Sequence, residues 1–288
     1  MLVIVGYLVV LFSVFGGFAL AGGHLGALIQ PIELLMIGGA ALGSFFVGNN
    51  GKSIKATLKA LPTVLRGSRH TKKLYLELMS LLLDILTRAR KEGLISIEGD
   101  IDTPRESPLF MKYPAILADH HMIEFITDYL RLMVGGNMDA FQIETLMDTE
   151  IDTHHYEGEV PVHCVARIGD GLPAFGIVAA VMGVVHTMSS VGLPPAELGI
   201  LIANALVGTF IGILMAYGFV SPLSGLLEQK LHESTKMFQC VKVTLLASLN
   251  GYPPTLAVEF GRKVLYSTER PTFNELEEHI KLAKAKIS

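Results

Sequence analysis

The chain has no tryptophan and only two cysteines, Cys164 and Cys240. Its most informative deficit is positional. Residues 1–50 contain no Lys or Arg and one acid, Glu33, and no Lys or Arg stands between Arg167 and Lys230. All 23 basic residues therefore lie in 51–170 and 230–288. Charged residues make up 17% of the chain, below the usual quarter for soluble domains, and the mean hydropathy is +0.47. Lipid-compatible and water-compatible blocks alternate, which defines an all-α integral membrane protein. Without tryptophan, anchoring at the membrane surface falls to Tyr and Phe. The cysteines fit no metal-ligand spacing and read as free thiols of a reducing compartment. A net charge of −4 argues against a nucleic-acid partner.

Catalytic signatures are also missing. No nucleophile motif, nucleotide loop or Cys/His set stands out, so the chain is read as neither an enzyme nor a cofactor protein. Gly48–Ser53, GNNGKS, resembles a phosphate loop only in part. That motif needs Gly five positions before the Gly-Lys pair, and Phe46 stands there. Asn and Gly as helix caps are the better account. The pairs His120–His121 and His154–His155, with His163, suggest metal only superficially. Adjacent helical residues point about 100° apart and cannot chelate from one face.

Four apolar runs are long enough to span about 30 Å of hydrocarbon. The first covers residues 2–20; with no basic residue before it and a second run close behind, it reads as a span, not a cleaved leader. The second runs from about 32 to 49 after Pro31, with Gly39 and Gly43 as a small-residue face and Glu33 at the hydrated outer edge. Residues 171–222 hold the third and fourth, split by Pro194-Pro195. Seven cations in 52–73 mark the cytoplasmic side, and both termini share it. The domains expected are 1–50 (spans 1 and 2), 51–170 (a large cytoplasmic helical domain), 171–222 (spans 3 and 4) and 223–288 (a helical cytoplasmic tail).

In the cytoplasmic part, 71–92 reads as an amphipathic helix with Leu74, Leu78, Leu81, Ile85 and Ala89 on one face, stopped by Gly93. Residues 104–114, with three prolines, read as loop, followed by helices at 115–134 and 138–157. The tail reads as helices over 223–249, 255–266 and 273–286, the last opened by a Thr272/Glu275 capping box. Arg88, Arg90 and Lys91 close the 71–92 helix, and Glu98, Asp100 and Asp102 follow. That pair of clusters suits a solvated cap or a two-signed patch for a charged protein.

The hairpin 171–222 carries small residues at Gly208, Gly212 and Ala216, one hydroxyl at Thr209, and Pro173 and Pro222 at its ends. Each has an ordinary reading: a first-turn proline, a kink where the chain leaves lipid, a threonine bonded to its own helix. Thr209 is equally suited to face a partner. No Asp, Glu, Lys or Arg falls in mid-span, and His186 lies toward the outer end of the third. Charged groups in membranes usually mark transport paths. If this chain moves ions, the carboxylate must come from another chain.

The runs GDGLPAFGIVAAVMGVVHTM, PPAELGILIANALVGTFIGILMAYGFVSPL, CVKVTLLASLNGYPP and AVEFGRKVLYSTERPTFNELEEH resemble the MotA family, stator subunits of the bacterial flagellar motor. The resemblance extends through GYLVVLFSVFGGF and QPIELLMIGGAALGSFFVGNNGKSIKATLKALP to essentially the whole chain. It implies an inner-membrane pentamer around a dimer of MotB, which supplies a membrane Asp and anchors to peptidoglycan. It further implies rotor contact with FliG through Arg90 and Glu98, and a channel with Pro173, Thr209 and Pro222. Ala180, where sodium-driven relatives carry Thr, implies proton coupling. The related ExbB and TolQ energisers have three spans in another order. A non-conducting membrane scaffold is the remaining alternative.

Overall fold

The computed structural model describes residues 2–189 and 191–285, and every regular element among them is helical. The main helices are α1 (Leu2–Leu20), α2 (Pro31–Val47), α3 (Gly51–Val64), α4 (Lys72–Glu92), α5 (Glu98–Asp102), α6 (His120–Gly135), α7 (Ala140–Met188), α8 (Pro195–Leu249), α9 (Pro254–Val264) and α10 (Phe273–Ala285). Four are long and apolar enough to cross a membrane: α1, the Leu25–Val47 segment that contains α2, α7 and α8. The expected end of the last helix, Lys286, lies outside the described residues.

Local chemistry explains the helix ends. Asn49 Nδ2 donates to the Phe45 carbonyl at 2.7 Å, and Asn50 Oδ1 accepts from the Ser53 amide at 2.9 Å. GNNGKS is thus the back-to-back end of α2 and start of α3. Gly93, with φ +88°, takes a backbone conformation that side chains disfavour and stops α4 as expected. At α10 the Thr272 amide donates to Glu275 (2.6 Å) while the Glu275 amide donates to Thr272 Oγ1 (3.2 Å), completing the capping box.

Both long helices run through prolines that the sequence reading placed at helix ends. The helices expected at 138–157 and from 172 are one 49-residue helix, α7, with Pro161 and Pro173 inside it. The fourth span likewise continues past Pro222 to Leu249. A π-helical segment, Leu214–Val220, immediately precedes Pro222. Its wider turns leave room for a residue without a donor, and the helix continues through Pro222. Gly169 and Gly218, one turn before Pro173 and Pro222, admit close neighbours: a Cβ on Gly169 would lie 2.5 Å from Ser221 Oγ, and one on Gly218 would lie 3.1 Å from Val10 Cγ1.

The chain divides into two compact units. One gathers the described residues up to Gly67 and Gly158–Gln229. In it, Ile37 and Ala41 of α2 pack with Leu172 and Ala179 of α7 and Ala216 of α8. The Tyr7 hydroxyl donates to the Phe219 carbonyl (3.0 Å), and Phe15 meets Phe210 edge-on at 6.2 Å, so α1 runs antiparallel to α8. Large apolar side chains such as Leu20, Leu35 and Val47 point outward, as a lipid-facing surface requires. Glu33, read as hydrated, is only 9% exposed. It shares the buried face Glu33, Ile37, Ala41, Phe45, one residue per helical turn.

The other unit gathers Ser68–Glu157 and the described residues from Lys230. Its core joins Leu78, Leu81 and Ile85 of α4 to Phe125 and Leu130 of α6, with Val241 and Leu245 of α8 and Ala257 of α9. Of the five residues expected on the α4 face, Leu78, Leu81, Ile85 and Ala89 are buried and Leu74 is partly buried. The stretch 104–114 holds one short turn, Phe110–Lys112, and the helix expected over 115–134 is two, Pro114–Leu117 and His120–Gly135, separated at Ala118-Asp119, where Asp119 caps the second by accepting from the Met122 amide.

Candidate functional site: the α7–α8 hairpin

Within the first unit α7 and α8 run antiparallel at backbone distance. A Cβ on Gly176 would lie 2.8 Å from the Gly208 carbonyl, and one on Gly183 would lie 2.7 Å from the Ala205 Cβ. One on Gly212 would lie 2.7 Å from the Leu172 carbonyl. Gly208 and Gly212 do admit a close neighbour, and in this chain that neighbour is α7. The sequence reading missed Gly176 and Gly183. Their signal was present as Gly176, Ala179, Ala180 and Gly183, small residues spaced to line one helical stripe.

Three of the expected channel residues lie along this contact. Pro173 is half-buried, one turn before Gly176. Ala180 is buried in the contact; its amide nitrogen lies 3.2 Å from the place of a Gly208 Cβ. Thr209, half-buried, has its Cα 3.4 Å from the place of a Gly176 Cβ. Pro222 is exposed and stands elsewhere, in an apolar cleft of about 280 Å³ shared with Val3, Tyr7 and Val10 of α1. The hydroxyls differ too. Thr187 donates back to the Gly183 carbonyl at 2.9 Å, whereas Thr209 makes no hydrogen bond among the described residues. His186 is exposed near the end of α7.

In the second unit Arg90 and Glu98 are both exposed. Neither forms an ion pair among the described residues; Arg90 Nη1 only approaches the Gly251 carbonyl, at 3.4 Å. Arg88 does the local structural work. It holds Glu92 at 3.1 Å and Asp100 at 2.5 Å, and Asp100 also accepts from Ser107 Oγ at 2.6 Å. This clasp ties the end of α4 to α5, while Arg90, Lys91 and Glu98 beside it are exposed and form no ion pair among the described residues. Among the described residues no three His, Cys, Asp or Glu side chains gather as metal ligands.

The family model described as Motility protein A N-terminal matches residues 4–93, and the MotA/TolQ/ExbB proton channel family model matches 118–240. Motility protein A of Salmonella typhimurium is 60% identical over 284 residues, covering 99% of this chain and 96% of that protein. The chain belongs to the motility protein A family. The Escherichia coli motility protein A is 61% identical over the same coverage, and Chemotaxis protein LafT of Vibrio parahaemolyticus is 40% identical over 94% of this chain and 95% of that one. Two solved structures share the motility protein A fold. The C. jejuni MotAB structure matches with TM-score 0.78 at 19% identity, covering 94% of this chain and 98% of that one. The Bacillus subtilis MotAB stator complex matches with TM-score 0.73 at 21% identity, covering 89% and 92%.

Proposed function

We infer that this motility protein A chain is a stator subunit of the bacterial flagellar motor. With a MotB-type partner it forms a proton channel that couples proton flow to torque on the rotor. The observation that carries this reading is identity near 60% along almost the whole length of two motility proteins A. The hairpin supports it chemically: two closely packed membrane helices with no mid-span carboxylate, and a Thr209 hydroxyl left uncommitted among the described residues. Such a wall needs a charge from outside.

The finer reading is as follows. A MotB dimer inside a pentamer of this chain supplies the membrane Asp and the peptidoglycan anchor. The assembly sits in the bacterial inner membrane with both termini and segments 51–170 and 223–288 in the cytoplasm, and 1–50 and 171–222 in lipid. Protons pass beside the partner carboxylate, flanked by Pro173, Thr209 and Pro222, and Ala180 favours protons over sodium. Each change in protonation alters the partner's contact with the ring, the ring turns, and Arg90 and Glu98 push on FliG. One charge falling through 100 mV supplies about 2.3 kcal/mol, enough to bias a contact of salt-bridge size.

The test is swimming speed in cells carrying this chain while the proton and sodium gradients are collapsed separately. Loss of motility with the proton gradient alone is expected; loss with the sodium gradient alone sinks the proton assignment. Thr209→Val and Pro173→Ala should each cut flux and torque, and the double reversal Arg90→Glu with Glu98→Lys should weaken rotor engagement. A scaffold would give no cytoplasmic acidification when co-expressed with a MotB-type partner whose plug is removed.

A further inference from the structure

His154 is half-buried on α7, and its Nδ1 is fully buried with no hydrogen-bond partner among the described residues. The ring packs on Phe238 of α8 at 4.5 Å between centroids and meets His121 of α6 edge-on at 6.4 Å. A cavity of about 150 Å³ opens beside it, lined by His121, Glu124, Glu150, Thr153, Glu157 and Phe238. All of these except Phe238 are exposed, so water reaches the cavity. Glu150 and Glu157 stand four residues before and three after His154, which puts them on its face of α7. Glu150 accepts from the Tyr129 hydroxyl at 2.7 Å, and Glu157 accepts no hydrogen bond among the described residues. Burial pulls the His154 pKa below the ordinary 6.5; His121 and His155 add to that, and Asp119 and Glu157 oppose it. His155, next on α7, is turned to Thr235 Oγ1 of α8, at 3.1 Å. From α8 the cavity receives Phe238 and no titratable group. A neutral ring suits this seat, with its proton on Nε2 and a lone pair on Nδ1. A protonated ring does not, because it adds a buried N–H that meets no acceptor.

We propose that His154 is a pH-responsive latch that seats α7 on α6 and α8. The neutral ring stays on Phe238. On acidification the Nδ1 lone pair takes a proton from water in the cavity, and the imidazolium leaves its seat to donate to the Glu150 and Glu157 carboxylates. The latch therefore holds above about pH 6.5 and is lost as pH falls toward the folded pKa. α7 is one helix from Ala140 to Met188, so His154 shares it with Pro173 and Ala180. The use of the latch rests on the stator reading given above, which puts residues 51–170 in the cytoplasm: a fall in cytoplasmic pH releases α7 and slows the motor.

The chain has no tryptophan, so Phe238→Trp places a single reporter against His154. Its emission in the full chain in detergent, followed from about pH 8 to about pH 5, is expected to fall with a midpoint below 6.5, because imidazolium quenches indole. Adding His154→Gln should abolish that fall. A fall that survives His154→Gln, or no fall at all, overturns the latch. Hydrogen exchange of residues 145–158 in the chain without the reporter gives a second reading that does not need tryptophan to fit the core. Corrected for intrinsic rate, exchange should rise on acidification in the wild type and stay level in His154→Gln; equal profiles overturn the latch as well. In cells, a membrane-permeant weak acid lowers internal pH at fixed outer pH. The wild type should lose swimming speed and His154→Gln should keep most of it, whereas equal slowing overturns the latch as a brake on the motor. A latch that titrates in a chain supporting no motility at neutral pH overturns the stator reading and leaves the latch standing.

Discussion

Gly176 and Gly212 meet across the hairpin so closely that a Cβ on Gly212 would stand 2.9 Å from the Gly176 Cα. Both neighbours are backbone, which cannot swing aside. Gly212→Ala is therefore expected to destabilise the hairpin by about 1–3 kcal/mol, the usual cost of overpacking. Gly39→Ala, with nothing within 4 Å of the new methyl, is the matched control. Thermal unfolding in detergent compares them, and equal melting would show that the helices are not held at this distance.

Arg262 is 7% exposed and donates from Nε to Glu259 at 2.6 Å and from Nη1 to the Pro271 carbonyl at 2.7 Å. It fastens α9 to the chain that leads into α10. Arg262→Met should cost about 2–4 kcal/mol, because it strands a carboxylate and a carbonyl together. Glu259→Gln should cost less, about 1 kcal/mol, since the guanidinium keeps its carbonyl. Denaturant unfolding would read the difference, and the reverse ranking would contradict the account.

His70 lies close to Glu233, with Nδ1 3.8 Å from the carboxylate. Burial pushes its pKa below the ordinary 6.5, and Glu233 offsets only part of that. The unfolded chain then takes up this proton at higher pH than the folded one. The His70 contribution to stability is intact above about pH 6.5 and is lost as pH falls toward the folded value. Melting temperature followed from pH 8 to pH 5 should decline more steeply in the wild type than in His70→Asn. Parallel curves would remove His70 as a cause.

Cys240 is fully buried and Cys164 nearly so, the latter with Sγ 3.0 Å from Asn49 Oδ1. Neither thiol should react with a maleimide in the folded protein, and both should react once it is unfolded. Rapid labelling of the native chain would mean that one of these sites opens.

Much of this fold is written in the order of residues. Charge segregation marks the apolar blocks, and local caps at Asn50 and Thr272 place helix starts, because capping depends on side chains three residues apart. The breaks expected before Pro173 and at Pro222 were misleading for a physical reason. A proline removes one donor, but the helix can continue through it, as at Pro222 after the π segment Leu214–Val220, and that is not visible in a proline alone. Of the candidate site, Gly208 and Gly212 were legible as a small-residue face. Their partners Gly176 and Gly183 depend on the register of two antiparallel helices, which no local pattern fixes. Glu33 lies on the buried face of α2 because of its angular position on the helix, which its place near the helix start does not show.

The glycine contact of α7 and α8 also has a mechanical meaning. Interfaces built from long side chains can slip between rotamer sets and so occupy several nearby arrangements. Where Gly176, Gly208 and Gly212 touch backbone, there are no rotamers to exchange. The two helices therefore have a single seating here, and a load placed on one is borne by the other. Any stroke generated beside this pair must move it as a plate, not work it as a hinge.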